Sequence, residues 1–203
     1  MRPRLVAGLK GLSIETIILP FSDHDTPIGY IGKKICPFLV LNSGETKTES
    51  TQLAAYLDTC STQQVLSTTT LSTNCQTLIT TYLKPIVALT APQFISLPYK
   101  EFQTPADITP FQTREETFIG HPLTQTISKF DHYQTLITQF FTNAQLFLQS
   151  KPNTTLTMDE VALFAFFRNL SCVPNLTIPT TIQSFTTTLA SKAHINIYTK
   201  LPN

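Results

Sequence analysis

The chain has 203 residues, 41% of them hydrophobic and 13% charged, with a formal net charge of +1. This length suits one large domain or two small ones, and the apolar fraction is enough for a core. A nearly neutral chain gives no electrostatic reason to bind nucleic acid or an anionic membrane. No apolar run reaches the roughly 18 residues of a membrane-spanning helix. We therefore expect a globular protein without a nucleic-acid or membrane partner.

The four cysteines are scattered along the sequence instead of lying in close pairs. They are Cys36, Cys60, Cys75 and Cys172. Zinc sites and disulfide scaffolds use closely spaced cysteines, and the four histidines also lack the spacing of metal ligands. The sequence therefore predicts no metal site, and it fits a protein of the reducing cytoplasm.

The first 58 residues predict an α/β unit. Apolar residues at helical spacing predict a helix over residues 3–12. The continuous apolar run over residues 14–19 is rich in β-branched side chains and predicts a buried strand, which Pro20 ends. A second short helix is expected near Ile28.

A β-hairpin and a third helix follow. Residues 36–41 predict a strand that opens with Pro37, residues 42–44 provide turn residues, and residues 45–48 predict the returning strand. Residues 50–57 then predict a helix with one apolar face. This order of elements is typical of an α/β domain.

The remainder of the chain predicts only helices. Residues 59–73 are rich in Ser, Thr and Gln and predict a linker. Thr157 and Glu160 form a capping-box pattern before a run that is apolar on every side, which predicts a fully buried helix. We expect its Arg168 to have a structural partner, because a buried guanidinium must be paired. The predicted helices cover residues 78–89, 130–148, 158–170 and 179–193.

Two stretches of the sequence resemble the glutaredoxin 2 family, and Arg168-Asn169-Leu170 is the most specific piece. The matching segments are residues 5–12, 14–19 and 33–39, Glu49-Ser50, residues 156–170, and Ile195-Asn196. The resemblance implies an α/β thioredoxin-like domain, incomplete because its first strand is absent, followed by an all-α glutathione-transferase-like domain. The corresponding divisions are residues 1–58, a linker over 59–73, and a helical domain over 74–203.

The front of the chain departs from the family pattern. In the family, a strand and a Cys-x-x-Cys motif come immediately before the first helix. Met1 of this chain falls where the residue directly after the second of those cysteines would stand. The absent strand would lie between residues 14–19 and residues 36–41. We expect that an internal Met has been taken as the start codon, with a real truncation as the alternative.

The resemblance also implies a glutathione-binding site. Pro37 corresponds to the cis-proline of the thioredoxin-like fold, so the backbone of Cys36 is expected to pair with glutathione like an added strand. The N–H and hydroxyl of Ser50 are expected to receive the γ-glutamyl carboxylate, and Glu49 its ammonium group. The alternative for Ser50 is a plain helix N-cap. We interpret Cys36 itself as a small apolar filler, with a substitute catalytic thiol as the alternative.

Three functions remain open from the sequence. The first is a glutathione-dependent thiol–disulfide oxidoreductase acting on protein disulfides or glutathionylated proteins, with glutathione as co-substrate and with its catalytic Cys-x-x-Cys missing from this chain. The second is a non-catalytic glutathione-binding module or inactive remnant. The third is a glutathione transferase. We rank it lowest because such an enzyme activates the glutathione thiol with a Ser, Tyr or Cys, and none stands before the first helix. We expect a monomer in each case.

Overall fold

A computed structural model describes residues 1–148 and 155–198 of the chain. It contains eight α-helices and one two-stranded sheet within these ranges. In chain order the elements are α1 (Arg2–Leu9), α2 (Asp25–Ile31), β1 (Leu39–Val40), β2 (Thr46–Lys47), α3 (Ser50–Thr59), α4 (Thr73–Ser96), α5 (Pro105–Ile119), α6 (Phe130–Gln145), α7 (Met158–Leu170) and α8 (Thr180–Lys192). Two short 3-10 helices flank α5, at Lys100–Phe102 and Leu123–Lys129.

The predicted hairpin is confirmed, although its strands are short. β1 and β2 are antiparallel, with Leu39 opposite Lys47 and Val40 opposite Thr46. Gly44 adopts a φ of 84° in the turn, a conformation that glycine reaches without a Cβ clash. The expected strand over residues 36–41 is reduced to Leu39 and Val40.

The buried strand expected over residues 14–19 is absent. This segment belongs to no sheet, and Ile14, Ile17 and Ile18 are exposed. Within the described chain, no backbone N–H or C=O group of residues 13–19 has a hydrogen-bond partner. A β-branched run forms a strand only where a ladder partner is available, and β1 pairs with β2 alone.

One apolar core lies inside the helical part of the chain. Helices α4, α5 and α6 supply most of it, and buried aromatic side chains such as Phe140, Phe141 and Phe167 fill its centre. α4 is longer than the predicted helix and runs through Pro85 and Pro92. α5 was not predicted, because its sequence is polar and contains two prolines.

A second core joins the first helices to the last ones. Helix α1 packs against α3 and against α7 and α8, so that Leu5 and Val6 of α1 share one apolar cluster with Phe164 of α7. The backbone of α1 comes so close to the end of α8 that a Cβ on Gly8 would lie 2.2 Å from the carbonyl oxygen of Ala193. The buried α7 and its capping box are confirmed.

A buried ion pair fastens the segment between α3 and α4. The Nζ of Lys10 lies 3.1 Å from Oδ1 of Asp58, and the exposed fractions of the two side chains are 0% and 8%. The same ammonium donates to the carbonyl oxygens of Asp58, Ser61 and Gln63. The Asp58 carboxylate also accepts the backbone N–H groups of Val65 and Leu66. The expected linker is thus pinned to both α1 and α3.

Arg168 has the structural partners that its burial requires. Its Nε donates to the carbonyl oxygen of Asn196 at 2.8 Å and its Nη1 to Oη of Tyr198 at 2.6 Å. The guanidinium carbon also lies 4.1 Å from the centre of the Tyr198 ring. These contacts hold the end of the described chain against α7. The division at residues 58 and 74 stays a prediction, and residues 149–154 and 199–203 of the expected helical domain lie outside the described residues.

Candidate functional site

The hairpin brings the predicted site residues to one end of the small sheet. Leu39 is paired with Lys47; Cys36 precedes this pair by three residues along the chain, and Ser50 follows it by three. Pro37 and Glu49 each lie two residues outside the same pair. The Cys36–Pro37 peptide bond is cis, as expected. The four residues singled out from sequence therefore flank the end of the hairpin at which α3 begins.

The N-terminus of α3 offers free hydrogen-bond donors. Its cap residue, Glu49, has a φ of 65° and a side chain that caps no N–H group. Among the described residues, no acceptor binds the N–H groups of Ser50, Thr51 and Gln52. Free N–H groups and the helix dipole together favour an anion at this position.

Arg2 adds a positive charge beside these donors, and it was not singled out from sequence. Its Nη1 donates to Oγ of Ser50 at 3.2 Å and to Oγ1 of Thr51 at 2.9 Å. Burial lowers the pKa of Arg2, and the nearby Cys75 opposes this shift. The only sequence signal was a basic residue at the start of a helix, which does not show the contact with α3.

The thiol of Cys36 is not activated. Cys36 is exposed, so its interpretation as an apolar filler is wrong. Desolvation at the thiol raises its pKa, the negative charge of Asp23 raises it further, and Lys34 opposes both. A raised pKa leaves little thiolate at neutral pH, and the thiolate is the nucleophilic form.

None of the other three thiols belongs to the hairpin or to the first turn of α3, although Cys75 lies near Arg2. Cys60 is exposed and is the C-cap residue of α3. Cys75 is buried in the helical core and Cys172 is half-buried, and burial raises the pKa of each to about 12. Cys60 thus lies at the start of the segment between α3 and α4, and Cys75 and Cys172 lie in packed positions.

Two cavities in the described chain are lined by residues outside the candidate site. One of 390 Å³ lies beside Cys172 and Tyr198, and another of 620 Å³ lies between Phe147 and Phe185. The described residues contain no cluster of three or more potential metal ligands. No helix within them is long and apolar enough to cross a bilayer. The candidate site is thus an open surface with several free hydrogen-bond donors.

Comparisons with known proteins place the chain in a family. A family model, "Glutaredoxin 2, C terminal domain", matches residues 74–201. Glutaredoxin 2 of Escherichia coli strain K12 is 24% identical over 210 residues, covering 99% of this chain and 94% of that protein, and glutaredoxin 2 of Escherichia coli O157:H7 gives the same values.

The fold matches a solved structure. Glutaredoxin 2 from Salmonella typhimurium, crystallised in complex with glutathione, superposes with a TM-score of 0.83 at 24% sequence identity, covering 98% of this chain and 91% of that one. This match identifies the fold as the glutathione-transferase-like architecture expected from sequence. Because the matching family model also covers more than half of the chain, the chain belongs to the glutaredoxin 2 family.

Proposed function

We propose that the chain binds glutathione at the open end of the hairpin and serves glutathione-dependent thiol–disulfide exchange. The observation that carries the proposal is the first turn of α3, whose N–H groups bind no described acceptor and which follows the hairpin that begins after the cis Cys36–Pro37 bond. Glutathione is an extended tripeptide with a peptide-like backbone, two carboxylates and one ammonium group. The two sides of the hairpin end offer complementary groups for it.

The γ-glutamyl end of glutathione fits the α3 side of the site. Its carboxylate would take the free N–H groups of the first turn and the hydroxyl of Ser50. Its ammonium would meet the carboxylate of Glu49, which is exposed and makes no hydrogen bond to a described residue. The cysteinyl part would then run along the backbone of Cys36 in the manner of an added strand.

Thiol–disulfide exchange would join the bound tripeptide to a partner disulfide. A thiolate attacks one sulfur of the disulfide, a new S–S bond forms, and the other sulfur leaves as a thiolate. Membership of the glutaredoxin 2 family supports this activity.

The thiol environments favour a second candidate for the chain as sequenced, a glutathione-binding module without a nucleophile of its own. Burial raises the pKa of Cys75 and Cys172 to about 12, and the pKa of Cys36 is also raised. None of these thiols is prepared for attack at neutral pH. The binding site itself does not depend on them.

Calorimetric titration with glutathione tests the binding proposal. Glu49→Gln should weaken binding about two- to fivefold, as for an exposed ion pair. Glu45→Gln is the matched control, because Glu45 is an exposed carboxylate of the same hairpin whose partner is Lys47. Equal effects of both substitutions, or none from Glu49→Gln, would contradict the assignment of Glu49.

An exchange assay separates the two candidates. With a mixed disulfide of glutathione and a small thiol as substrate, the module predicts negligible turnover by the 203-residue chain despite measurable glutathione binding. Turnover that Cys36→Ser abolishes would make Cys36 the nucleophile and would rule out the module.

A further inference from the structure

The guanidinium of Arg2 has more donor capacity than the described protein uses. A guanidinium carries five N–H donors. Only Nη1 has partners in the described chain, and both are neutral hydroxyl oxygens, on Ser50 and Thr51. No described carboxylate lies within 4.0 Å of Arg2, in contrast to the buried ammonium of Lys10 with its Asp58.

The unused N–H donors of Arg2 are not simply exposed to solvent. Arg2 is half-buried, and burial lowers the pKa of its guanidinium, so part of its hydration shell has been lost. A partly desolvated cation is stabilised best by a carboxylate, and arginine can bind a carboxylate through two parallel hydrogen bonds. None of its described partners is charged.

Arg2 also controls the direction of the Ser50 hydroxyl. Because Oγ of Ser50 accepts a hydrogen bond from Nη1, its own proton is left to donate elsewhere. The free N–H groups of the first turn of α3 lie beside the same oxygen. An anion at this position would meet amide, hydroxyl and guanidinium donors together.

We propose that Arg2 is the residue that selects ligands carrying a free α-carboxylate on their γ-glutamyl unit. This inference rests on the proposed glutathione site and specifies which ligand group that site requires. Arg2 contributes a charge-assisted contact that the N–H groups of α3 alone do not supply. The site therefore discriminates against thiol peptides that lack this carboxylate.

A ligand-by-variant comparison tests the role of Arg2. The two ligands are glutathione and 4-aminobutanoyl-cysteinyl-glycine, which is glutathione without the α-carboxylate. Arg2→Gln should weaken glutathione binding by roughly tenfold or more, as for loss of a hydrogen bond to a charged group. The same substitution should change the affinity for the analogue by less than about twofold, because the analogue has no α-carboxylate for Arg2 to bind and its other contacts are independent of Arg2.

Arg4→Gln is the matched control, because Arg4 is an exposed residue of the same helix without a hydrogen bond to a described residue. It removes the same charge and should leave both affinities unchanged. Arg2→Lys keeps the charge but loses the planar fork, so it should give a smaller loss that is again confined to glutathione. The same comparison with Arg2→Lys decides the question if Arg2→Gln does not fold.

The outcomes separate this inference from the proposed function. If wild type binds glutathione at Ser50 but Arg2→Gln weakens both ligands equally, or neither, Arg2 is structural and the inference is wrong. If wild type does not bind glutathione at all, the proposed function fails and the inference fails with it. A loss specific to glutathione supports both.

Discussion

Replacing Lys10 by methionine should destabilise the protein strongly without touching the candidate site. The ammonium of Lys10 is fully buried and joins the Asp58 carboxylate to three carbonyl oxygens at the end of α3 and in the following segment. Met fills a similar volume but supplies no donor. Asp58 would then keep a buried negative charge with only the N–H groups of Val65 and Leu66 as partners.

The expected magnitude follows from the loss of one member of a buried pair. Removing such a partner destabilises proteins by about 3–5 kcal/mol. For a chain of this size, each kcal/mol shifts the melting temperature by roughly 2–4 °C, so Lys10→Met should lower Tm by roughly 6–20 °C. Urea denaturation at neutral pH measures the same loss as a lower midpoint at an unchanged slope.

Two further variants make this test specific. Lys47→Met removes the lysine of the exposed Lys47–Glu45 pair and should leave the unfolding midpoint unchanged. Lys10→Met combined with Asp58→Asn should lose less than the sum of the single changes, because the uncompensated charge is gone. A loss below about 1 kcal/mol for Lys10→Met, as for a surface pair, would refute the reasoning.

Three other substitutions test the packing of the fold. Gly8→Ala should destabilise by about 1–3 kcal/mol because its Cβ would collide with the backbone of Ala193, whereas Gly29→Ala, with open space around it, should not; thermal melts compare the two. Hydrogen bonds from Ser22 and Thr104 lower the pKa of Asp107. Its contribution to stability is therefore present above the unfolded pKa of about 3.9 and is lost as pH falls below it, so Asp107→Asn should flatten the acid limb of a stability–pH curve. Arg168→Lys loses the bond to Asn196 or Tyr198 and should increase amide exchange at the end of the described chain.

Local signals predicted the helices whose ends are marked by side-chain chemistry. The α7 bounds were predicted to the residue, because Thr157 and Glu160 form a capping box at its start. The α3 start at Ser50 was also predicted from the change of pattern after the hairpin. In both cases the information lies within a few residues of the boundary.

Tertiary contacts decided the elements that sequence missed. Residues 14–19 carry a strand pattern, but without a ladder partner they stay outside the sheet. α5 is polar and contains Pro110, yet it is held by a capping box at Thr104 and by apolar contacts from Phe111. Its helical state could not be predicted from local propensity.

The residues of the candidate site were likewise predicted from sequence only in part. Resemblance to a family identified Cys36, Pro37, Glu49 and Ser50, which flank the two strands of the hairpin in the chain. The contact of Arg2 with α3 joins residues 48 positions apart in sequence. No periodicity or motif within one helix indicates such a contact.

The most direct test of the account is a glutathione titration followed by backbone amide NMR. The account predicts saturable shifts centred on the amides of Cys36 and Ser50, with small effects at Cys172 and Phe185, which line the two cavities of the helical part. Shifts confined to those cavities, or an unchanged spectrum at saturating glutathione, would contradict it.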